Sequence, residues 1–355
     1  MGGRKATPPQ GDPMKHITIL ALDGTIASTV TGPADIFSLA GVLWNRIRGV
    51  QPEPYFKVVI ASVQGKPVGC VNGIVIQPHL SLEEVKRTDL IIISAEDLAV
   101  LDATSRRTVP WLLKHHKAGS TLASVCTGAF LLAETGLLDG KRATTHWGFA
   151  ELFRKRYPRV DLRPESLITD EGNLLCGGGA FSYFDLSLYL VERYCGFETA
   201  AQCGKSLLLD MGRTSQVPYA IFEYQKQHQD QQILHAQTFM EKDYPGQVNL
   251  EDLAARVGMS LRNFKRRFRR ATGDSPLIYL QRFRVEAAKR LLEHTPKSIS
   301  EICYQIGYED MAFFRRYSKG MSVLPLMSTV RGFTQDQYRR GKDFPKRCDS
   351  MLMYS

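Results

Sequence analysis

Two rhythms of apolar spacing take turns along the first two hundred residues. Short β-branched or wholly apolar runs predict strands: KHITILAL (15–22), YFKVVIAS (55–62), DLIIIS (89–94) and TLASVC (121–126). DLIIIS is apolar almost throughout, the composition of a parallel strand covered on both faces. Between these runs the spacing changes to three and four. Ile36, Leu39, Leu43 and Ile47 mark a helix over 33–48, with Pro33 suited to its first turn, and VPWLLKHHKAG (109–119) reads as a helix closed by Gly119. VNGIVIQP (71–78) resembles a hairpin arm. TGAFLLAETGLL (127–138) gives a helix, RATTH a short strand and WGFAELFRKRY another helix. Strands near 160–162, 167–169 and 174–176 then precede a long helix, FSYFDLSLYLVERYCG. Alternation of this kind predicts a parallel sheet covered by helices on both faces.

The pattern breaks at residue 213. RTSQVPYAIFEYQKQHQDQQ is polar and Gln-rich and reads as a linker over 213–232. Domains are therefore expected at 15–212 and 233–333, with a disordered leader at 1–14 and a basic tail at 334–355. After a helix at 233–244, NLEDLAARVGMSLRNFKRRFRRATGDSP (249–276) has the form of a helix-turn-helix. Leu250, Leu253, Ala254 and Val257 make the inner stripe of a first helix, Gly258 allows the sharp turn, and Ser260 caps the second helix. There Leu261, Phe264 and Phe268 face inward. Arg262, Lys265, Arg266 and Arg269 recur at i, i+3, i+4 and i+7, so they share another face, flanked by Asn263, Arg267 and Arg270. SISEICYQIGYEDMAFFRRYS (298–318) repeats the pattern about fifty residues on, with Gly307 standing for Gly258, and Phe314 and Arg316 for Phe264 and Arg266. The intervening PLIYLQRFRVEAAKRLLEHT is long enough for one rigid connecting helix.

Charge sharpens this picture once it is located. Of a formal net +10, residues 249–333 hold sixteen Lys/Arg against eight Asp/Glu and the tail five against three, which leaves residues 1–248 neutral. Such asymmetry predicts a polyanion partner for the last third, and the tandem basic units make that partner double-stranded DNA. Long donors on one helix face can reach base edges and phosphates together. No apolar run approaches a membrane span, and the leader lacks the apolar segment of a signal peptide. Seven widely spaced cysteines without a C-x-x-C pair argue against a disulfide framework or a zinc site. No metal or cofactor is expected, and a cytoplasmic location fits.

Residues 249–316 resemble the AraC family of transcription regulators. The resemblance is carried by Leu253-Ala254, Gly258-Met259-Ser260, Arg266, Phe268, Gly273, Ser275-Pro276, Tyr279, Arg284, Ile306-Gly307-Tyr308 and Phe314-x-Arg316. It implies an all-α module with two helix-turn-helix motifs whose second helices enter successive major grooves. Arg262, Lys265 and Arg266 would meet bases in the first groove, with Asn263 and Arg269 beside them. Met311, Ala312, Arg315 and Arg316 would occupy the second. The second unit departs from the first where Ser318 stands in place of Phe268.

SVCTGAFLLAETGLLDGKRATTHW (124–147) raises a separate question. Cys126 ends a strand and is followed at once by Thr-Gly-Ala, a nucleophile elbow in which a helix N-terminus would lower the thiol pKa and offer N–H groups to an oxyanion, with His146 as base. The alternative is a small buried cysteine packed between strand and helix. Residues 15–200 are similar to the class I glutamine-amidotransferase-like superfamily, in its ThiJ/intracellular-protease branch, through GPADIF, the Cys126 stretch and CGGGAFSYFDLSLYLVE. Joined to an AraC module, this looks like the GlxA-type regulators. The resemblance implies a flavodoxin-like α/β sensor domain that binds a small-molecule effector, an amine or amino-acid derivative, and forms a homodimer. Enzymes of the superfamily add a carboxylate near the elbow, at a position held here by Thr29. A hydroxyl cannot share a proton with a thiolate as a carboxylic acid can. The expectation is thus no catalysis, with Cys126, Thr127, His146 and Trp147 lining an effector pocket. The rival is a Cys126–His146 amidase or hydrolase fused to a DNA-binding domain; a third reading is a redox sensor at Cys126. Gly177–Gly179 lacks the spacing of a phosphate loop and reads as close packing of a helix on a strand.

Overall fold

The computed structural model describes residues 14–216, 219, 226 and 228–308. The chain divides into two compact units, Met1–Val217 and Pro218–Ser355. In the first, β1 (Lys15–Leu20), β2 (Phe56–Ser62), a hairpin of β3 (Val68–Gly69) and β4 (Val75–Ile76), β5 (Leu80–Ser81), β6 (Leu90–Ile93) and β7 (Thr121–Val125) are followed by the pair β8 (Arg142–Ala143) and β9 (Asp161–Leu162), then β10 (Ile168–Asp170) and β11 (Leu174–Gly177). Seven of these form one sheet in the order β10-β11-β7-β6-β1-β2-β5, parallel except where β10 meets β11. The expected α/β flavodoxin-like architecture is therefore present.

Helices α1 (Ser28–Leu39), α2 (Leu43–Ile47), α3 (Leu101–Lys117), α4 (Gly128–Glu134), α5 (Ala150–Arg156) and α6 (Tyr183–Ser206) complete this unit. Alternate residues of each strand feed two cores, because successive side chains of a strand point to opposite faces. Ile17, Ile19 and Ile92 pack with Phe37 of α1 and Leu186 and Leu190 of α6. Leu20, Ile91 and Ile93 pack with Leu112, Phe130 and Phe153 of α3, α4 and α5. Strand β6 is buried at every position, as its apolar run requires.

Four helix boundaries differ from expectation. Pro33 does not start a helix but lies inside α1, and α3 begins at Leu101, ahead of the expected 109, with Pro110 inside it. A proline removes one backbone donor, but Val30, Pro33, Ile36 and Phe37 are all buried, so core packing carries α1 through the defect. The helix then stops at Leu39, and Gly41 separates it from α2, where a single helix to 48 was expected. Conversely, α6 passes the expected end at Gly196 through a kink, with φ of 84°, and buries Ala200 and Cys203 beyond it. The stretch expected as a linker begins packed: Arg213 pairs with Asp185, and Gln216 is buried within the first unit.

The second unit contains α7 (Gln231–Lys242), α8 (Leu250–Arg256), α9 (Leu261–Thr272), α10 (Pro276–His294) and α11 (Ile299–Gln305). Each starts on a side chain that accepts a first-turn N–H: Asp230, Asn249, Ser260, Ser275 and Ser298. One core joins Ile233, Met240, Leu253, Phe264, Phe268 and Tyr279; another joins Ala288, Leu292, Ile302, Cys303 and Ile306. Met311, Ala312, Arg315 and Arg316 lie outside the described residues, as do 1–13 and the tail 334–355.

Candidate functional site

Strand β7 delivers Cys126 to the turn before α4. Its φ is +56°, and among the described residues only Leu208 joins it as a non-glycine with positive φ. A residue with a Cβ in that region stores on the order of 1–3 kcal/mol, held here by the surrounding sheet. The Cys126 N–H donates to Gly177 O at 3.0 Å, which ties the elbow to the end of β11.

The elbow does not make a thiolate. Cys126 is 4% exposed, and burial pushes its pKa up to about 11, against the opposing pull of the Thr127 N–H and hydroxyl. The expected lowering by the helix N-terminus is therefore outweighed by desolvation. His146 is no better placed as a base. Its Nδ1 accepts the Gly148 N–H at 3.0 Å, so the proton of the neutral ring belongs on Nε2. Burial lowers its pKa and keeps the ring neutral. Among the described residues no hydrogen bond joins it to Cys126.

The two segments that carry the four expected residues nevertheless meet beside the elbow. Thr145, which follows β8, donates its hydroxyl to Cys126 O at 2.8 Å and so brings His146 and Trp147 to the elbow. The His146 ring lies 5.2 Å from that of Trp147 and 5.8 Å from that of Phe149. Thr127 turns inward: its hydroxyl donates to Glu96 O at 2.8 Å and accepts from Glu96 N at 2.9 Å. Thr29, at the position of the superfamily acid, donates to Ile26 O at 2.8 Å and accepts from Ala95 N at 3.2 Å. The Gly177 backbone packs closely on Ser182 and Leu186 at the start of α6, the close approach expected of the triple glycine.

Two residues escaped the sequence reading. Gln216 accepts the Trp147 backbone N–H at 3.2 Å. Glu96 is 5% exposed, and no side chain among the described residues hydrogen-bonds its carboxyl oxygens. Burial, then the nearby Glu134 charge, pushes its pKa up to about 8, while the Leu131 backbone N–H and then Arg156 pull the other way. A carboxyl whose folded pKa lies above its unfolded one binds more protons when folded, so stability falls as pH rises across that window. The wild type should lose stability between about pH 4.5 and about pH 8 from this group. Glu96→Gln should flatten that slope and melt above the wild type at pH 9. Equal slopes in pH-dependent calorimetry would show that Glu96 is not held protonated.

In the second unit, α9 carries the basic face. Arg262, Lys265, Arg266 and Arg269 are exposed, while Phe264 and Phe268 are fully buried. Gly258 (φ +69°) makes the turn into this helix, and Gly273 (φ +80°) ends it. Twelve residues at 1.5 Å each give about 18 Å, a length that a major groove accepts. Asn263 Oδ1 accepts from Arg266 Nη2 at 2.9 Å and so orients that guanidinium. Arg267 departs from its neighbours. It donates to Asp230 at 2.7 and 2.9 Å and to Gln232 at 2.6 Å, which anchors α9 to the start of α7.

Residues 15–193 match the DJ-1/PfpI family, and residues 253–325 match a helix-turn-helix domain. The chain is 29% identical over 277 residues to the HTH-type transcriptional regulator CdhR of Pseudomonas aeruginosa, a match covering 75% of this chain and 82% of that one. It is 25% identical over 313 residues to the HTH-type transcriptional regulator GbdR of the same species, covering 87% and 82%. Over 135 residues it is 30% identical to isonitrile hydratase of Pseudomonas putida, covering 38% of this chain and 58% of that one. With a parallel sheet ending in a strained cysteine elbow and a family match across half its length, the chain belongs to the DJ-1/PfpI family and carries a helix-turn-helix domain on its C-terminal side.

Proposed function

We propose that the protein is a sequence-specific DNA-binding transcription regulator whose DJ-1/PfpI unit senses a small molecule. The observation that carries this reading is the exposed basic face of α9, mounted on the buried Phe264 and Phe268. Rigid mounting matters because base reading needs donors held in register with the groove. The likeness to CdhR and GbdR, both HTH-type transcriptional regulators, supports the same reading. The test is selection of genomic fragments by the full-length chain. Enrichment of one recurring sequence is expected, and no enrichment over random fragments would defeat the assignment.

The effector is a small amine or amino-acid derivative held near Cys126, His146 and Trp147, and the working form is a homodimer in the cytoplasm. No helix among the described residues is long and apolar enough to cross a membrane. Cys126 does no covalent chemistry in this reading. The support is a thiol pKa of about 11, a His146 Nδ1 already engaged, and Thr29 in place of an acid.

One observation favours the enzyme reading instead: backbone strain at Cys126 is what an exposed nucleophile would need. Alkylation separates the two. A shift from 9.0 to about 11 leaves on the order of 100-fold less thiolate at neutral pH than an ordinary cysteine has. Iodoacetamide should therefore label Cys126 far more slowly than a free thiol, and Cys126→Ala should leave DNA affinity within about twofold, inside the spread of substitutions that touch no key contact. Fast labelling, together with a turnover lost in Cys126→Ala, would establish the enzyme.

A further inference from the structure

The carboxamide of Gln216 sits in a built polar cage. Its Nε2 lies 2.7 Å from Thr145 O, 3.1 Å from Thr144 Oγ1 and 3.2 Å from Ser166 O, while its Oε1 accepts the Trp147 backbone N–H at 3.2 Å. Thr144 and Thr145 are fully buried, and Gln216 is 2% exposed. Gly178 forms the floor: a Cβ there would stand 2.6 Å from Gln216 Nε2. Three acceptors thus converge on one side and one donor on the other, spaced for an NH2 and a C=O on the same carbon. An ammonium group would leave the Trp147 N–H unmet. A carboxylate would set an oxygen against the Thr145 and Ser166 carbonyls, neither of which can donate. The cage selects a carbamoyl group.

Its occupant arrives on a strap. Leu167 N donates to Thr214 O at 3.1 Å, Gln216 N donates to Glu165 O at 3.1 Å, and Ser215 Oγ donates to the same oxygen at 2.8 Å. Arg213 is paired with Asp185. The strap is the stretch from which the chain continues toward the DNA-binding unit. The cage also adjoins the elbow, since Thr145 contributes its carbonyl to Gln216 and its hydroxyl to Cys126 O.

We propose that this cage is a carbamoyl-binding site which Gln216 occupies as a tethered ligand, and that an effector bearing a primary carboxamide or ureido group enters in its place and releases the 213–216 strap. The proposal deepens the sensor reading and rests on it for the consequence of release. A tethered group competes at an effective concentration of about millimolar or more. Only a compound with additional contacts, such as those at His146 and Trp147, displaces it, and the resting state is latched.

Two arms test this on the full-length chain. Gln216→Ala removes a fragment the size of acetamide. This variant should melt below the wild type, and acetamide should raise its melting temperature where acetate and ethylamine do not, with no such shift in the wild type. Equal shifts for the three compounds, or in both proteins, would overturn the cage chemistry. The second arm uses the unaltered protein and so does not depend on the variant folding. L-citrulline or L-glutamine should speed tryptic cleavage after Arg213 several-fold, relative to L-ornithine and L-glutamate. Unchanged cleavage with both carbamoyl compounds would overturn the exchange. DNA binding by the wild type without any compound is measured in the same samples. Its absence would count against the regulator reading alone, because neither arm reads DNA.

Discussion

Arg266→Ala should weaken binding to a specific operator by about 5- to 150-fold, the equivalent of about 1–3 kcal/mol for a base-reading arginine. Binding to random duplex should fall less, with the salt slope reduced by roughly one unit. The exposed position of Arg266 on α9 motivates this, and so does its brace from Asn263. Asn263→Ala should act in the same direction but more weakly, because the guanidinium stays and only its orientation is freed. Arg267→Ala is the internal control. Its side chain is held by Asp230 and Gln232, so its loss should lower the melting temperature of the second unit without changing base preference. A base-substitution scan of the operator reads all three. Equal loss of specific and random binding in Arg266→Ala would reassign that residue to a phosphate.

Phe268→Ala should be more damaging still. The ring is fully buried, edge-on to Phe264 at 5.5 Å and to Tyr279 at 5.4 Å. Truncating such a side chain costs about 3–5 kcal/mol, a large share of the 5–15 kcal/mol typical of a whole domain. The core it belongs to contains residues of the second unit alone. Hydrogen exchange should therefore show α8, α9 and α10 losing protection while β1, β6 and β7 keep theirs. DNA binding should be lost with them. Retained protection of α9 would mean that the core closes around the cavity.

The parts legible in the sequence are those where one local pattern decides. Four apolar residues in a row made β6 readable, and Phe264, Phe268 and Ser260 together fixed the inner face and the start of α9. Pro33 misled, because tertiary burial of the flanking apolar residues overrode a local helix breaker. Arg267 looks like its exposed basic neighbours in the sequence; its difference lies in Asp230, thirty-seven residues earlier. Gln216 was hidden in a Gln-rich stretch, where nothing local distinguishes a buried carboxamide from a solvated one. Glu96 was invisible for a similar reason. Its state is set by burial against groups such as Glu134, distant in sequence. At the elbow, the turn itself was readable from Cys-Thr-Gly-Ala. The thiol's protonation was not, since desolvation by the surrounding sheet outweighs the helix terminus.

The most direct measurement is the affinity of the full-length chain for its selected operator between about 50 and 200 mM salt. Each phosphate neutralised by a basic side chain contributes roughly −0.9 to the slope of log K against log salt. The exposed residues Arg262, Lys265, Arg266, Arg269 and Arg270 supply enough charge for a slope steeper than about −3. Replacing Arg262, Lys265, Arg266 and Arg269 together by alanine should abolish specific binding and most of that slope. A salt-independent affinity in the wild type, or the same slope and operator preference in the fourfold variant, would contradict DNA recognition by α9.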